Sequence, residues 1–183
     1  MSFKEAFLQL PTLETKRLKL RPLSREDAKQ FYEIYADCDV TQYLDWNGAD
    51  SAEVAETVIG FFQEQYRKRE SMRWGIELQE NRALIGTLTL GGFRRNAIAD
   101  IGYDLAKRFW GKGYATEAVQ AALDFCWQDL GLHRVQAYVQ PGNLPSVKLL
   151  LKLGFEQEGL LRKWGYQESR KQFFDVLLFA LVR

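Results

Sequence analysis

One stretch of the chain has residue types and spacing suited to gripping an anion: Arg108-Phe109-Trp110-Gly111-Lys112-Gly113-Tyr114-Ala115. A strand-like run, Asp100-Ile101-Gly102-Tyr103-Asp104-Leu105, leads into it, and an amphipathic segment, roughly Tyr114 to Leu130, leads out. A helix exposes four unpaired backbone N–H groups at its start, which Ser, Thr, Asp or Asn side chains usually cap. The turn contains none of these residues. Gly111 and Gly113 allow positive φ and a close approach of ligand to backbone. Free amides, the helix dipole and Lys112 together suit a phosphate. Two plainer readings stay open: water satisfies the amides while the glycines only tighten the turn, or Thr116 caps a helix that starts later. Two familiar phosphate patterns are excluded. No G-x-x-x-x-G-K-[ST] run occurs, and Thr116 stands where a dinucleotide fingerprint would need Gly or Ala.

The elements that must position this turn follow from the apolar spacing. Leu18 and Leu20 alternate with charges in a first strand within Thr15 to Leu23, which ends at Pro22. Ser24 and Asp27 sit at capping-box spacing before a helix to about Tyr35, with Ala28, Phe31, Ile34 and Tyr35 on one face. Residues 37–50 break pattern and read as a loop. Either its aromatics, Tyr43 and Trp46, contact a ligand, or Leu44 and Trp46 plug the edge of the core. A second helix runs from Ser51 to about Lys68, with Val54, Val58, Phe61, Phe62 and Tyr66 as its apolar stripe.

Strands are expected at 73–78, 84–90 and 98–105. The first two form an antiparallel hairpin, Gly91-Gly92 marks an end or a bulge, and Arg94-Arg95-Asn96 is a turn. In the helix after the loop, Val119, Ala122, Leu123, Cys126 and Leu130 form the core stripe. Glu117, Gln120, Asp124 and Gln128 face away, and Gly131 stops it. His133 to Val139 is the next strand, joined to 98–105 by a parallel crossover. Asn143 or Leu144 caps a short helix containing Pro145, with Val147, Leu150 and Leu151 buried. A strand at 155–161, a turn at Trp164-Gly165-Tyr166 and a last strand at 173–181, paired on both sides, complete the chain. This order predicts an α/β fold with a mixed sheet and helices on both faces.

Composition narrows the function. With 183 residues, 46% of them hydrophobic and 27% charged, the chain reads as one ordinary globular domain. A net charge of +1 excludes a general nucleic-acid binder. No apolar run reaches the ~20 residues of a membrane span, and the first residues do not read as a secretory signal. Cys38 and Cys126 match no metal spacing, so reduced thiols, a cytoplasmic location and no metal are expected. Cys126 lies on an apolar stripe and reads as a packed thiol. His133, the one histidine, reads as structural.

The loop also fits the pattern [QR]-x-x-G-x-[GA], as Arg108-x-x-Gly111-x-Gly113. With Asp100-Ile101-Gly102-Tyr103-Asp104-Leu105 before it and Tyr114-Ala115-Thr116-Glu117-Ala118 after it, the text resembles the GNAT acetyltransferases, in particular their RimJ/RimL branch. The resemblance runs from about Thr15 to Val182. It implies a GNAT fold, a mostly antiparallel sheet flanked by helices, and acetyl-CoA as cosubstrate. It places the pyrophosphate on the N–H groups of Trp110 to Ala115, framed by Arg108 and Lys112. It lays the pantetheine arm along Tyr103, Asp104 and Leu105 and against Asn143 of the Asn143-x-x-Ser146 motif. The implied reaction is direct attack of a neutral amine on the thioester within a ternary complex.

Asp100 is the candidate base, acting through water, with Asp104 and Glu77 as rivals. A strand-edge ion pair with Arg94 or Arg95 is the plainer role for Asp100. Many relatives carry a Tyr acid where this chain has Leu150, whereas Ser146 matches a RimL-like position that hydrogen-bonds the sulfur. A protein N-terminus, ribosomal or other, is the leading acceptor, with Tyr43 and Trp46 as candidate contacts. A small amine, or a CoA-binding sensor without turnover, are the alternatives. A homodimer is suggested by analogy with relatives.

Overall fold

The structure is a computed structural model that describes residues 3–44, 46, 48–95, 97–167 and 171–183. Its elements are α1 (Phe3–Ala6), β1 (Leu13–Glu14), β2 (Leu18–Pro22), α2 (Ala28–Tyr35), α3 (Cys38–Thr41), α4 (Ala52–Arg67), β3 (Ser71–Leu78), β4 (Leu84–Arg94), β5 (Ile98–Leu105), α5 (Tyr114–Gln128), β6 (Arg134–Val139), α6 (Leu144–Lys152), β7 (Glu156–Gln167) and β8 (Gln172–Val182). The strands form one sheet in the order β1-β2-β3-β4-β5-β6-β8-β7. Every neighbouring pair is antiparallel except β5 and β6. The mixed, mostly antiparallel sheet expected from the sequence is the one that forms.

Alternation along the strands gives the sheet two apolar faces. Leu18, Leu20, Trp74, Ile76, Leu88 and Leu90 are buried in one cluster with Ala118, Val119, Ala122, Phe125 and Cys126 of α5. The other face packs against Phe31, Ile34 and Tyr35 of α2 and Ala55 and Ile59 of α4. Gly75 marks that second face, because a Cβ there would lie 2.8 Å from both Leu23 and Leu84. Each such apolar side chain contributes roughly 1.5–3 kcal/mol on burial, enough to dock the helices on both faces.

The second face also carries a buried charge set. Arg21 lies 2.7 Å from Asp27 and 2.5 Å from Glu77, whose side chains are only 4% and 5% exposed. Asp27 also accepts from the Ser24 N–H at 2.8 Å, which is the reciprocal half of the expected capping box. Burial pushes the Asp27 carboxyl up, but the bonds from Arg21 and Ser24 outweigh it and hold the group below its ordinary value.

Several expectations need correction. The expected first strand forms as β2 and ends at Pro22, but a short strand before it, β1, was not expected and pairs with it antiparallel. The loop at 37–50 contains α3, whose cap is Asp37 accepting from the Asp39 N–H. Asp45 and Asn47 of that loop, and Asn96 of the turn after β4, lie outside the described residues. The buried face of α4 is Ala55 and Ile59, while Val54 and Phe61 are exposed. Val58, Phe62 and Tyr66 of the expected stripe are partly buried and pack against the core, so the expectation fails only at Val54 and Phe61. In α6, Leu151 is exposed and Leu150 is buried.

Trp164, Gly165 and Tyr166 are not a turn but part of β7. Register shifts between Leu161 and Gly165 mark a bulge there. Gly165 serves cross-strand packing: a Cβ would sit 2.2 Å from the ring of Phe174, its partner on β8.

Arg21→Ala strands two buried carboxylates without their cation and should cost about 3–5 kcal/mol in urea unfolding at neutral pH. The pKa of Asp27 is depressed by folding, so its contribution is complete above the unfolded pKa near ~3.9 and is lost as pH falls through the lower folded value. The gap between wild type and variant should therefore close in acid. An unchanged urea midpoint at pH 7 would show that the set contributes nothing.

Candidate active site

β5 and β6 are paired only at Ile98–Arg134, Ala99–Val135 and Asp100–Gln136. Beyond these pairs the two strands part. The Ala106 N–H donates to Ile85 O at 2.8 Å across the Gly86–Leu105 pair. In an antiparallel ladder that bond makes Leu105 a non-hydrogen-bonded partner of Gly86. Leu105, and Tyr103 by alternation, therefore turn their own backbone groups away from β4, toward the parting.

The loop at the end of β5 is held at both ends. A 3-10 turn spans Lys107–Phe109. The Trp110 indole donates to Leu105 O at 2.7 Å. Gly113 occupies the N-cap of α5 at φ 80 and gives no side-chain cap. The first bond inside α5 runs from the Glu117 N–H to Gly113 O, 3.1 Å. The N–H groups of Tyr114, Ala115 and Thr116 thus have no acceptor within the helix. A later start capped by Thr116 does not occur.

A cleft of ≈ 1050 Å³ follows the parting from the start of α5 to the β7–β8 hairpin. Its lining brings together Asp100, Tyr103, Asp104, Leu105, Trp110, Gly111, Gly113, Tyr114, Ala115, Asn143 and Ser146 with Tyr43 and Trp46. Arg108 and Lys112 are the two candidates that do not line it. Their exposed charges lie 5.0 Å and 5.7 Å from the ring of Phe109.

Asn143 caps α6 by accepting from the Ser146 N–H at 3.3 Å. The Ser146 hydroxyl lies 2.8 Å from the Tyr103 hydroxyl. Burial pushes the Tyr103 phenol up to about 12, so it stays protonated at neutral pH.

The carboxylates of the cleft all have partners. Asp100 takes a two-pronged bond from Arg94, 3.0 and 2.9 Å, which is the plainer of its two expected roles. Asp39 pairs with Lys107. Asp104 accepts from the Tyr35 hydroxyl at 3.3 Å, which also sits 2.8 Å from Thr87. Glu77, the other rival base, belongs to the Arg21 set and does not line the cleft.

Trp46 plugs the edge of the core, as one of its two readings expected. It packs 5.1 Å from the Tyr35 ring and lines the cleft. Tyr43 donates to Gly142 O at 2.9 Å, while Gln140 and Gln167 donate to Tyr43 O and Leu44 O. The segment after α3 is thereby tied to the ends of β6 and β7. Sequence reasoning missed Arg73, Tyr138 and Phe174 of the lining. Tyr138 and Trp164 are stacked with ring centroids 5.9 Å apart. The outward position of Tyr138 in the β6 alternation was the available signal.

Among the described residues no group of three or more His, Cys, Asp or Glu is arranged to hold a metal ion, and no helix is long and apolar enough to cross a membrane.

Comparison with known proteins agrees with this architecture. A family model described as an acetyltransferase (GNAT) domain matches residues 17–156. The N-acetyltransferase p20 of Bacillus licheniformis is 36% identical over 175 residues, covering 95% of this chain and 97% of its own. RimJ of Mycobacterium smegmatis, solved in complex with CoA-disulfide, matches with a TM-score of 0.82 and 28% identity, covering 94% of this chain and 86% of its own. The [ribosomal protein uS5]-alanine N-acetyltransferase of Escherichia coli is 27% identical over 126 residues, 68% of this chain and 64% of its own. The chain belongs to the GNAT acetyltransferases. It is an acyl-CoA-dependent N-acetyltransferase with RimJ/RimL-type relatives.

Thiol chemistry tests the packing of the site's flanking helix. Cys38 is exposed, whereas Cys126 is buried in α5 and pushed up to about 12 by desolvation. Titration of the native protein with a chromogenic disulfide should release one equivalent of thiolate promptly, rising to two in denaturant. Prompt reaction of both would refute the burial of Cys126.

Proposed function

We propose that the protein transfers the acetyl group of acetyl-CoA to the α-amine of a protein N-terminus. Uncapped amides from Gly113 to Thr116 suit the diphosphate, by dipole and by direct hydrogen bonding. The outward backbone groups of Tyr103 and Leu105 suit the amides of the pantetheine arm, with Asn143 beside them. Arg108 and Lys112 act from the rim as screening charges and not as walls.

The observation that carries the choice of acceptor is the pairing of Asp39, Asp100 and Asp104. A strong base is not on offer, so the amine must be neutral by its own pKa. An α-amine of pKa ~8 is about one quarter neutral at pH 7.5, and a lysine of pKa ~10.4 only about one part in a thousand. Attack forms the N–C bond, collapse of the tetrahedral intermediate breaks the C–S bond, and the nitrogen's excess proton passes through water to the thiolate, giving amide and free thiol. The ammonium proton leaves before attack, to water ordered by Asp100, whose fork to Arg94 stays intact. Ser146, with Tyr103 behind it, donates to the departing sulfur. A thiol of pKa ~8.5 needs little more than that bond. Tyr43, Trp46 and the Tyr138–Trp164 stack flank the acceptor. The uS5-alanine relative supports the same class of acceptor. A small amine is the second reading, favoured by the ties from Gln140 and Gln167 that span the acceptor end.

Thiol release from acetyl-CoA should be measured with a peptide bearing a free N-terminus, the same peptide N-blocked with an internal lysine, free amino acids and a polyamine. Turnover with the free N-terminus, its pH profile following the amine, is expected. Turnover with small amines alone would favour the second reading, and CoA binding without turnover would make the protein a sensor. Gly113→Glu puts a side chain at positive φ, its Cβ 3.5 Å from Arg17 Nη2, and adds a negative charge at the start of α5, which distorts the loop and opposes the diphosphate. It should weaken CoA binding at least ~100-fold by calorimetry. Ser146→Ala should lower kcat only about three- to tenfold, with little change in KM.

A further inference from the structure

Three residues that do not line the cleft converge on the loop from behind. They are Thr15 and Arg17, in the turn between β1 and β2, and Glu117, one turn into α5. Glu117 Oε1 accepts from the Thr15 hydroxyl at 2.6 Å and from the Arg17 N–H at 2.9 Å. Its Oε2 accepts from Arg17 Nε at 2.6 Å. Glu117 was expected to face solvent, yet its side chain is only 19% exposed. Arg17 Nη1 donates to Lys112 O at 3.1 Å, and the guanidinium lies 4.3 Å from the centre of the Tyr114 ring.

The bond to Lys112 O has a directional consequence. The chain has no cis peptide among the described residues, so the Lys112 carbonyl and the Gly113 N–H point in opposite directions from one peptide plane. Holding the carbonyl toward Arg17 holds the Gly113 N–H away from Arg17, and Gly113 lines the cleft. A glycine at φ 80 has the widest choice of conformations in the loop and gains most from such a hold. The same guanidinium neutralises Glu117. Without it, that carboxylate would repel an anion bound at the start of its own helix.

We propose that Arg17, anchored by Glu117 and Thr15, is a positioning residue for the acyl-CoA loop, aiming the Gly113 amide and those after it at the diphosphate. The proposal rests on the reading of this loop as the diphosphate site. Arg17 touches neither the thioester nor the amine, so its effect falls on cosubstrate binding. Lysine cannot replace it fully, because one ammonium cannot form the fork to Glu117 and the bond to Lys112 O together.

The test is steady-state kinetics with acetyl-CoA, with CoA binding followed by calorimetry, in wild type, Arg17→Ala, Arg17→Lys, Glu117→Gln and the Arg17→Ala/Glu117→Gln pair. Arg17→Ala should raise the KM for acetyl-CoA and the Kd for CoA about tenfold and leave kcat within about twofold. Arg17→Lys should fall between. The double variant should bind CoA more tightly than Arg17→Ala, because the exposed charge at Glu117 is gone. Wild-type Kd and KM in Arg17→Ala would overturn the proposal and leave the diphosphate site standing. Absence of CoA binding to wild type would overturn the site, and the proposal with it. If Arg17→Ala does not fold, Glu117→Gln decides: it keeps an acceptor for Thr15 and for the Arg17 N–H but loosens the guanidinium. Weaker CoA binding supports the role, and unchanged binding overturns it.

Discussion

The structure turns on a sheet that stops pairing in its middle. β5 and β6 share hydrogen bonds only as far as Asp100–Gln136. A parallel pair must be joined by a crossover, here α5, so the loop at the end of β5 and the start of that helix necessarily stand over the parting. The two faces of the sheet then meet through the gap. α5 covers one side of β1 to β5, while α2 and α4 cover the other. On the proposed reading, a cosubstrate held at the helix start and an amine entering from the α2 face meet between these strands. Open α/β sheets place ligands at the carboxyl ends of parallel strands for the same reason.

Each half of the sheet must hold its position without the bonds that the parting removes. The β1–β5 half has a continuous core under α5 and the Arg21 set on its other face. The β6–β8–β7 half is pinned by β8, which pairs with β6 over residues 177–182 and with β7 over residues 172–180. The core under α5 continues from β5 to β6, and polar ties across the gap among the described residues include Tyr103 to Ser146, Tyr43 to Gly142, Gln140 to Tyr43 and Gln167 to Leu44. Single hydrogen bonds of this kind are worth ~1 kcal/mol each. They set the width of the cleft without locking it.

Local signals were legible in the sequence. The bounds of β5, the start of α5 at Tyr114 and the cap at Asn143 follow from alternation, glycine spacing and capping chemistry within a few residues. What escaped depends on partners far along the chain. Glu117 looked solvent-facing because its partners, Thr15 and Arg17, lie 102 and 100 residues away. Trp164-Gly165-Tyr166 looked like a turn because the glycine is explained only by Phe174 across the strand. The aromatic wall of Tyr138 and Trp164 needed the β6-β8-β7 order, which no periodicity encodes. The loop text was readable, but the strut behind it was not.

The substitution of Leu150 for an acidic tyrosine is explained by geometry. Leu150 is fully buried in the α5-side core, where a phenol would lose its water and find an apolar cluster. Ser146, four residues earlier on α6, instead faces the cleft and meets Tyr103 from β5. The hydroxyl pair thus comes half from β5 and half from the helix that Asn143 caps. A phenol pushed to about 12 is a poor acid but a dependable donor. Acyl transfer from a thioester asks for little more on the leaving side, since a thiolate departs readily near neutral pH. The proton that does matter is the one on the amine. On the proposed mechanism, with the cleft carboxylates already paired, the acceptor's own pKa governs how fast this site can work.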